Sequence, residues 1–156
     1  QFLGFSFYRA RQGSTGVALA RKTKERLTQT LRALTRRRYN GTPVHERIAR
    51  LNQYLRGWVR YFAPADCKAF LERVEETTRR RMRLCLWVQW KRVRTRYANL
   101  RTLGMNHTDA IKYANTRKGY WRIAGSTILT TTLTNQYFRK LGLISLVETY
   151  QTIRLT

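Results

Sequence analysis

Arginines and tryptophans recur together along residues 64–94, and these two residue types suit one kind of chemistry. The apolar residues of this segment are spaced three and four apart, which predicts one continuous helix. The side opposite its apolar stripe carries Arg73, Arg80, Arg83, Trp87, Trp90, Lys91 and Arg94. Because guanidinium groups bind phosphates and indoles stack on unpaired bases, this side is predicted to bind nucleic acid. The alternative stays open that Trp87 and Trp90 pack against a further helix and only the cations are exposed.

Basic residues also cluster at three other places. Residues 116–122, TRKGYWR, form a glycine-containing corner with the same pairing of arginine and tryptophan. Residues 36–38 are three arginines that end a helix predicted from residue 21, and the helix dipole accounts for only part of that cluster. Arg50 and Arg60 lie on the polar side of a helix predicted over residues 48–62. The residues predicted to contact nucleic acid are Arg36, Arg37, Arg38, Arg50, Arg60, Arg73, Arg80, Arg83, Trp87, Trp90, Lys91, Arg92, Arg94, Arg117, Lys118, Trp121 and Arg122.

The sequence contains no set of residues with the types and spacing that catalysis or metal binding needs. Two-metal sites need several converging carboxylates, and the only aspartates are Asp66 and Asp109. Asn106 and Asp109 are spaced as a helix-capping pair, which we favour over a catalytic role for Asp109 with its neighbour His107. The two cysteines and two histidines have no zinc-site spacing. We therefore expect no catalytic residue and no metal site in this chain.

The charge of the chain points to a polyanionic partner. Thirty-two Lys and Arg residues against eight Asp and Glu residues give a net charge of +24 over 156 residues, while 42% of the residues are hydrophobic. A folded body with this charge repels itself unless a polyanion neutralises it, and the predominance of arginine favours nucleic acid. An anionic membrane is the competing partner. It is disfavoured because no apolar run reaches the roughly 18 residues that a spanning helix needs.

These side chains must be positioned by a mainly all-α fold with a short N-terminal β-hairpin. The central helix has an apolar stripe that includes Leu51, Leu55 and Trp58, as expected for a core-facing helix. Gly57 lies on its opposite side, so either a neighbouring helix or RNA is expected close to the backbone there. Cys67 and Cys85 fall on the apolar stripe of the next helix and are predicted to be buried free thiols, which suits a reducing compartment.

Five sequence blocks resemble the C-terminal part of group II intron reverse transcriptase/maturases. They are FLGFSF at 2–7, LNQYLRGWVRYF at 51–62, the run from RRRMR to LWVQWKR at 79–92, RKGYWR at 117–122, and NQYFRKLGLISLVETY at 135–150. The last block resembles bacterial members in particular. The resemblance implies a helical thumb-type bundle, a bacterial cytoplasmic location and an association with nucleic acid.

The resemblance also implies a domain organisation. Residues 1–20 would be a hairpin remnant of the reverse transcriptase palm, and residues 21–95 would be the thumb or maturase domain, called domain X. Residues 96–156 would be a C-terminal helical extension that either completes the maturase region or resembles the adjoining DNA-binding segment. The family's Tyr-Ala-Asp-Asp polymerase turn has no counterpart here. Reverse transcription and its Mg²⁺ ions would therefore belong to a polymerase domain outside this chain, of which the chain would be a fragment, and no cofactor is expected within it.

The resemblance implies group II intron RNA and template-primer nucleic acid as partners, with target DNA as a further candidate, and no membrane. The leading hypothesis is an RNA-binding maturase and thumb region that assists intron splicing and clamps the template-primer. Two alternatives stay open at this point. The chain would otherwise be a thumb that contributes only processivity to an RNA-directed DNA polymerase, or a DNA-binding architectural helical protein.

Overall fold

The computed structural model describes residues 3–9, 13–36 and 41–155. Within these ranges the chain forms one antiparallel β-hairpin followed by nine helices, which confirms the predicted fold class. The elements are β1 (Phe5–Arg9), β2 (Thr15–Leu19), α1 (Arg21–Leu34), α2 (Val44–Phe62), α3 (Lys68–Gln89), α4 (Val93–Thr102), α5 (His107–Ala114), α6 (Tyr120–Ala124), α7 (Thr127–Thr132), α8 (Asn135–Lys140) and α9 (Leu146–Leu155).

The β-hairpin is held against the end of α2. The ring of Phe5 packs 5.9 Å from that of Tyr61 and 5.2 Å from that of Phe62, measured between centroids. The carbonyl of Gly4 accepts hydrogen bonds from the Ala20 N–H and the Thr23 hydroxyl. Because an isolated two-stranded hairpin is marginally stable in water, these contacts with the helical body account for its order.

One carboxylate, Asp66, connects the hairpin to the last helix. The Tyr8 hydroxyl donates to Asp66 Oδ2 at 2.9 Å, and Arg154 Nη1 donates to Asp66 Oδ1 at 2.8 Å. The Arg154 guanidinium, and after it the Tyr8 hydroxyl, lower the pKa of the Asp66 carboxyl below its usual range, because both hydrogen bonds favour the ionised form. The Asp66 junction, defined by these three residues, thus joins β1, α9 and the segment between α2 and α3.

The core is built around α2 and α3. The predicted stripe of α2 is buried, with Leu51 and Leu55 almost inaccessible, and it contacts α1 and α9. The larger buried cluster runs from Leu19 in β2 to Tyr150 in α9. Both cysteines are buried and free, as predicted, and burial raises the pKa of the Cys67 thiol to about 11.

Side chains of α2 and α3 fasten the C-terminal segment to the body. Asn52 donates to the Gly142 carbonyl at 2.7 Å and accepts from the Ile144 N–H at 3.1 Å. Glu75 Oε1 accepts the N–H groups of Leu146 and Val147, at 2.5 and 3.5 Å, where α9 begins. The first N–H groups of a helix have no partner within the helix. Ser145 Oγ accepts the Glu148 N–H at 3.3 Å, and the Glu75 carboxylate accepts those of Leu146 and Val147.

The structure corrects the prediction of one continuous helix to residue 94. Helix α3 ends at Gln89, and Trp90 leaves the helical conformation with ψ at 53°. The indoles of Trp87 and Trp90 pack with their centroids 6.0 Å apart, and Arg96 Nε donates to the Trp90 carbonyl at 2.9 Å. Arg96 also places its guanidinium 4.6 Å from the Trp87 ring centroid. Packing of the two indoles and satisfaction of the Trp90 carbonyl by α4 therefore accompany the end of α3.

No helix among the described residues is both long enough and apolar enough to cross a membrane.

Candidate nucleic-acid interface

Most of the predicted contact residues are exposed on the surface. Arg37 and Arg38 lie outside the described residues. Arg80 is partly buried. The exposed members are Arg36, Arg50, Arg60, Arg73, Lys91, Arg92, Arg94, Arg117, Lys118, Trp121 and Arg122.

The expectation that Arg83 is exposed is wrong. Only 6% of Arg83 is accessible, its Nε donates to the Leu133 carbonyl at 2.9 Å, and its Nη2 donates to Asn135 Oδ1 at 3.4 Å. Burial lowers the pKa of the Arg83 guanidinium, and the nearby charge of Arg79 adds to that shift. Arg83 therefore connects α3 to the end of α7 and the start of α8, and it is not available to a phosphate.

Trp87 and Trp90 are also removed from the candidate interface. They are 1% and 9% exposed, so the open alternative that both indoles are buried against further elements is the one the structure confirms. Residues 82–88 are all buried because α3 is covered on more than one side, by α6 and α9 among others. A surface helix has one apolar stripe and a solvent-exposed opposite side. The C-terminal half of α3 differs from this pattern because it is buried on more than one side.

The outer side of α2 is an open basic surface. Arg50, Arg56, Gly57, Arg60 and Tyr61 are exposed along it. A Cβ added at Gly57 would meet nothing within 4 Å, so the expected neighbouring helix is absent from this part of the described structure. The sequence prediction included Arg50 and Arg60 but missed Arg56, which the same helical spacing could have identified. We call this set the α2 outer face.

A second basic surface lies where α3 gives way to α4. Five consecutive residues, 91–95, are exposed, and three of them are the predicted cations Lys91, Arg92 and Arg94. This exposed tip directly follows the end of α3, where Trp90 leaves the helical conformation. The predicted cations are thus placed at the surface by a turn, not by the helical face from which they were predicted.

A third basic surface is the groove between α1 and α3. A cavity of about 160 Å³ there is lined by Arg32, Arg73 and Arg81 together with apolar residues such as Phe70. Arg81 is fixed by hydrogen bonds from its Nε to Thr35 Oγ1 at 2.5 Å and from its Nη2 to the Arg32 carbonyl at 3.3 Å. Burial lowers the pKa of the Arg81 guanidinium. The sequence prediction had only Arg73 of this groove.

The corner before and within α6 brings two predicted residues into contact. The guanidinium of Arg80 lies over the Trp121 ring, 4.0 Å from its centroid, and Arg80 Nη2 donates to the Trp121 carbonyl at 2.9 Å. Arg117, Lys118 and Arg122 are exposed close by in the sequence. The predicted pairing of arginine and tryptophan at this corner is therefore realised across two elements, α3 and α6.

Among the described residues, no acid forms an ion pair with a cation of the predicted set. The ion pairs among the described residues join Arg21 to Glu25, Arg79 to Glu75, Arg139 to Glu148, and Arg154 to Asp66. None of them includes a residue of the predicted set. Closely spaced cations without carboxylate partners attract polyanions, and a planar guanidinium can form two parallel hydrogen bonds to a phosphate.

Other reactive side chains have structural partners. The Asn106 side chain accepts the Asp109 N–H at 2.8 Å, which confirms the predicted helix cap, and His107 Nδ1 is 2.7 Å from the Tyr97 hydroxyl oxygen. Within the described ranges, no group of three or more His, Cys, Asp or Glu residues could hold a metal ion.

The fold and these surfaces define a strongly basic helical domain with several exposed cationic surfaces. The family model for the group II intron, maturase-specific domain matches residues 24–104, which is more than half of the chain. The chain therefore belongs to the group II intron maturase family, as the resemblance of its sequence blocks implied. The match spans the α2 outer face, the groove between α1 and α3, and the exposed tip at residues 91–95. A comparison with curated proteins found no match.

Proposed function

We propose that this maturase domain binds group II intron RNA through its exposed arginines and lysines and thereby assists the intron to fold for splicing. The observation that carries the proposal is that the exposed predicted cations have no carboxylate partner among the described residues. Such groups remain hydrated and free to exchange their counterions for RNA phosphates.

The mechanism we propose is electrostatic positioning. Arg50, Arg56 and Arg60 follow one side of α2 and would contact phosphates along a strand. Gly57 removes the side chain between them, so a strand could pass close to the helix backbone. Phosphate contacts determine affinity and orientation and read little sequence, so we expect recognition of RNA shape at this surface.

Filter binding across a salt series tests the proposal. Each phosphate contact should contribute about 0.7 to 0.9 to the slope of log affinity against log salt. Arg50→Gln with Arg60→Gln should therefore reduce the slope by roughly 1.4 to 1.8. The matched control is Arg21→Gln with Arg139→Gln, which removes the same charge from two exposed arginines already paired to acids. An affinity for intron RNA that does not depend on salt would refute the mechanism.

The same cationic surfaces suit a template-primer duplex, because phosphate contacts do not distinguish the two ligands strongly. Assays of intron splicing and of primer extension, with a polymerase domain supplied in trans, separate these roles. Rescue of extension without an effect on splicing would favour a processivity role. A clear preference for duplex DNA over structured intron RNA of equal length would favour the architectural DNA-binding alternative.

A further inference from the structure

Trp121 differs from the other three tryptophans in its exposure. It is 44% exposed, whereas Trp58, Trp87 and Trp90 are each 9% exposed or less. An indole is usually buried because its large apolar surface is then removed from water. Among the described residues, neither packing in the hydrophobic core nor stacking on another aromatic ring explains why Trp121 is exposed.

One face of the Trp121 ring is fixed by contact with Arg80. Arg80 covers one face of the indole at 4.0 Å from the ring centroid, and its Nη2 donates to the Trp121 carbonyl. The absence of a side chain at Gly125 makes room for this guanidinium, because a Cβ there would lie 2.5 Å from Arg80 Cζ. Because Arg80 covers one face, we assign the 44% exposure of Trp121 to the opposite face and the edge of the ring.

The surroundings of Trp121 are cationic. Arg117, Lys118 and Arg122 are exposed within four residues of it, and none of them forms an ion pair within the described structure. A free aromatic face bordered by cations suits a base with its flanking phosphates. It does not suit an apolar or basic peptide, which would leave these charges without partners.

We propose that the free face of Trp121 is a stacking platform for one unpaired RNA base, with Arg117, Lys118 and Arg122 holding the adjacent phosphates. The inference rests on the proposed RNA-binding function and names the feature of the RNA that this corner recognises. A fully paired helix keeps its bases stacked within the duplex, so the platform selects loops, bulges or ends. Arg80 is a positioning residue that fixes the indole and does not itself touch the base.

Intrinsic fluorescence with iodide as quencher tests the platform in the full chain. Because the other three tryptophans are buried, the fluorescence that iodide quenches should come from Trp121. The probes are an oligoadenylate and a blunt RNA duplex with the same number of phosphates. Oligoadenylate should protect the fluorescence from iodide and should bind roughly 5- to 150-fold more weakly to Trp121→Ala, the range expected for loss of one stacked base. Binding of the duplex should be unchanged.

Three further variants separate stacking from other effects. Trp121→Phe keeps an aromatic face and should retain most of the affinity for oligoadenylate. Ile111→Ala removes a comparably exposed apolar side chain and should change neither probe. Gly125→Ala keeps the indole but displaces the Arg80 guanidinium, and it should weaken oligoadenylate binding more than duplex binding. Urea unfolding of each variant establishes that it is folded.

The outcomes distinguish this inference from the function on which it rests. In one outcome, both probes bind in a salt-dependent manner and Trp121→Ala weakens both equally or neither. That outcome would overturn the stacking platform and leave the proposed RNA binding intact. Unchanged iodide quenching at saturating oligoadenylate would do the same. Failure of the unmodified chain to bind either probe in a salt-dependent manner would overturn both.

Discussion

The arginines of this protein have two different roles that their residue type does not reveal. Arg83 is buried and donates to the Leu133 carbonyl, and Arg47, only 3% exposed, donates from its Nη1 to the carbonyls of Leu34 and Arg36 at the end of α1. A guanidinium has five donors in a fixed plane, so it can satisfy several carbonyls at a helix end. Arg60, in contrast, is exposed on the α2 outer face and has no described ion pair.

A comparison of Arg83→Met with Arg60→Gln tests this division. Arg83→Met removes the donor to the Leu133 carbonyl and should lower the free energy of unfolding by about 1 to 3 kcal/mol. Arg60→Gln should leave stability within about 0.5 kcal/mol and weaken RNA binding. Urea unfolding and filter binding measure the two effects. Equal stability losses in the two variants would contradict the assignment of Arg83 to structure and Arg60 to binding.

Gly57 gives a second prediction at this scale. It lies inside α2, is exposed, and has open space where a side chain would be. Gly57→Ala should therefore raise the free energy of unfolding by about 1 kcal/mol, because alanine favours the helix and restricts the unfolded chain. If RNA passes close to the α2 backbone, the same variant should bind RNA more weakly. A stabilised variant with unchanged RNA affinity would show that the glycine is not needed for binding.

Among the elements, α3 shows how far the sequence could be interpreted. Its apolar spacing correctly predicted a long helix and the burial of both cysteines, although the helix begins at Lys68 and Cys67 directly precedes it. It did not predict the end at Gln89, because no proline or glycine marks the break and helical spacing continues past it. The end coincides with contacts from Arg96 in α4, which lie outside any local pattern. The domain boundaries at residues 20 and 95, which came from the resemblance, stay predictions.

The sequence also predicted only part of the candidate nucleic-acid interface. The exposed cations of α2 follow directly from helical spacing, and the corner at residues 116–122 was recognised from its composition. The contact of Arg80 with Trp121 spans 41 residues, and the donors of Arg83 find their acceptors about 50 residues away. The residue type is the same for an exposed and a buried arginine, so only tertiary packing distinguishes the two.

One residue of α3 contributes to the attachment of α9. Glu75 accepts two N–H groups of α9 and forms an ion pair with Arg79 at 2.7 Å. Glu75→Ala should destabilise the protein by about 1 to 3 kcal/mol, because the buried Leu146 N–H loses its acceptor. Glu75→Gln keeps an oxygen acceptor and should have a smaller effect.

Hydrogen exchange monitors this prediction locally. The amides of α9 should lose protection in Glu75→Ala before those of α2 and α3 do. Glu76→Ala is the control, because Glu76 is exposed and neighbours Glu75 on the same helix. Equal loss of protection throughout the protein would mean that α9 does not open separately.

At the scale of the whole molecule, the net charge of +24 sets the response to ions. Repulsion among like charges destabilises a compact state, and dissolved salt screens it. A polyanion that binds only the folded protein stabilises it further, by about 2.7 kcal/mol at one hundred times its dissociation constant.

Thermal unfolding with and without intron RNA tests this expectation. Added sodium chloride alone should raise Tm, because it screens the repulsion. RNA should raise Tm strongly at low salt and progressively less as salt increases, because the two compete for the same cations. A neutral polymer such as dextran at equal mass concentration is the control. An RNA-induced shift that persists unchanged at high salt would argue against phosphate contacts as its source.

The Asp66 junction has a consequence for the order in which the chain folds. Its two hydrogen bonds connect residues 58 and 88 positions apart, so they close long loops around the helical body. Local helix contacts usually form before such distant ones. Asp66→Asn should therefore speed unfolding and leave the refolding rate nearly unchanged in stopped-flow experiments. The strand β1 and the helix α9 would then be the last parts to join the native structure and the first to leave it.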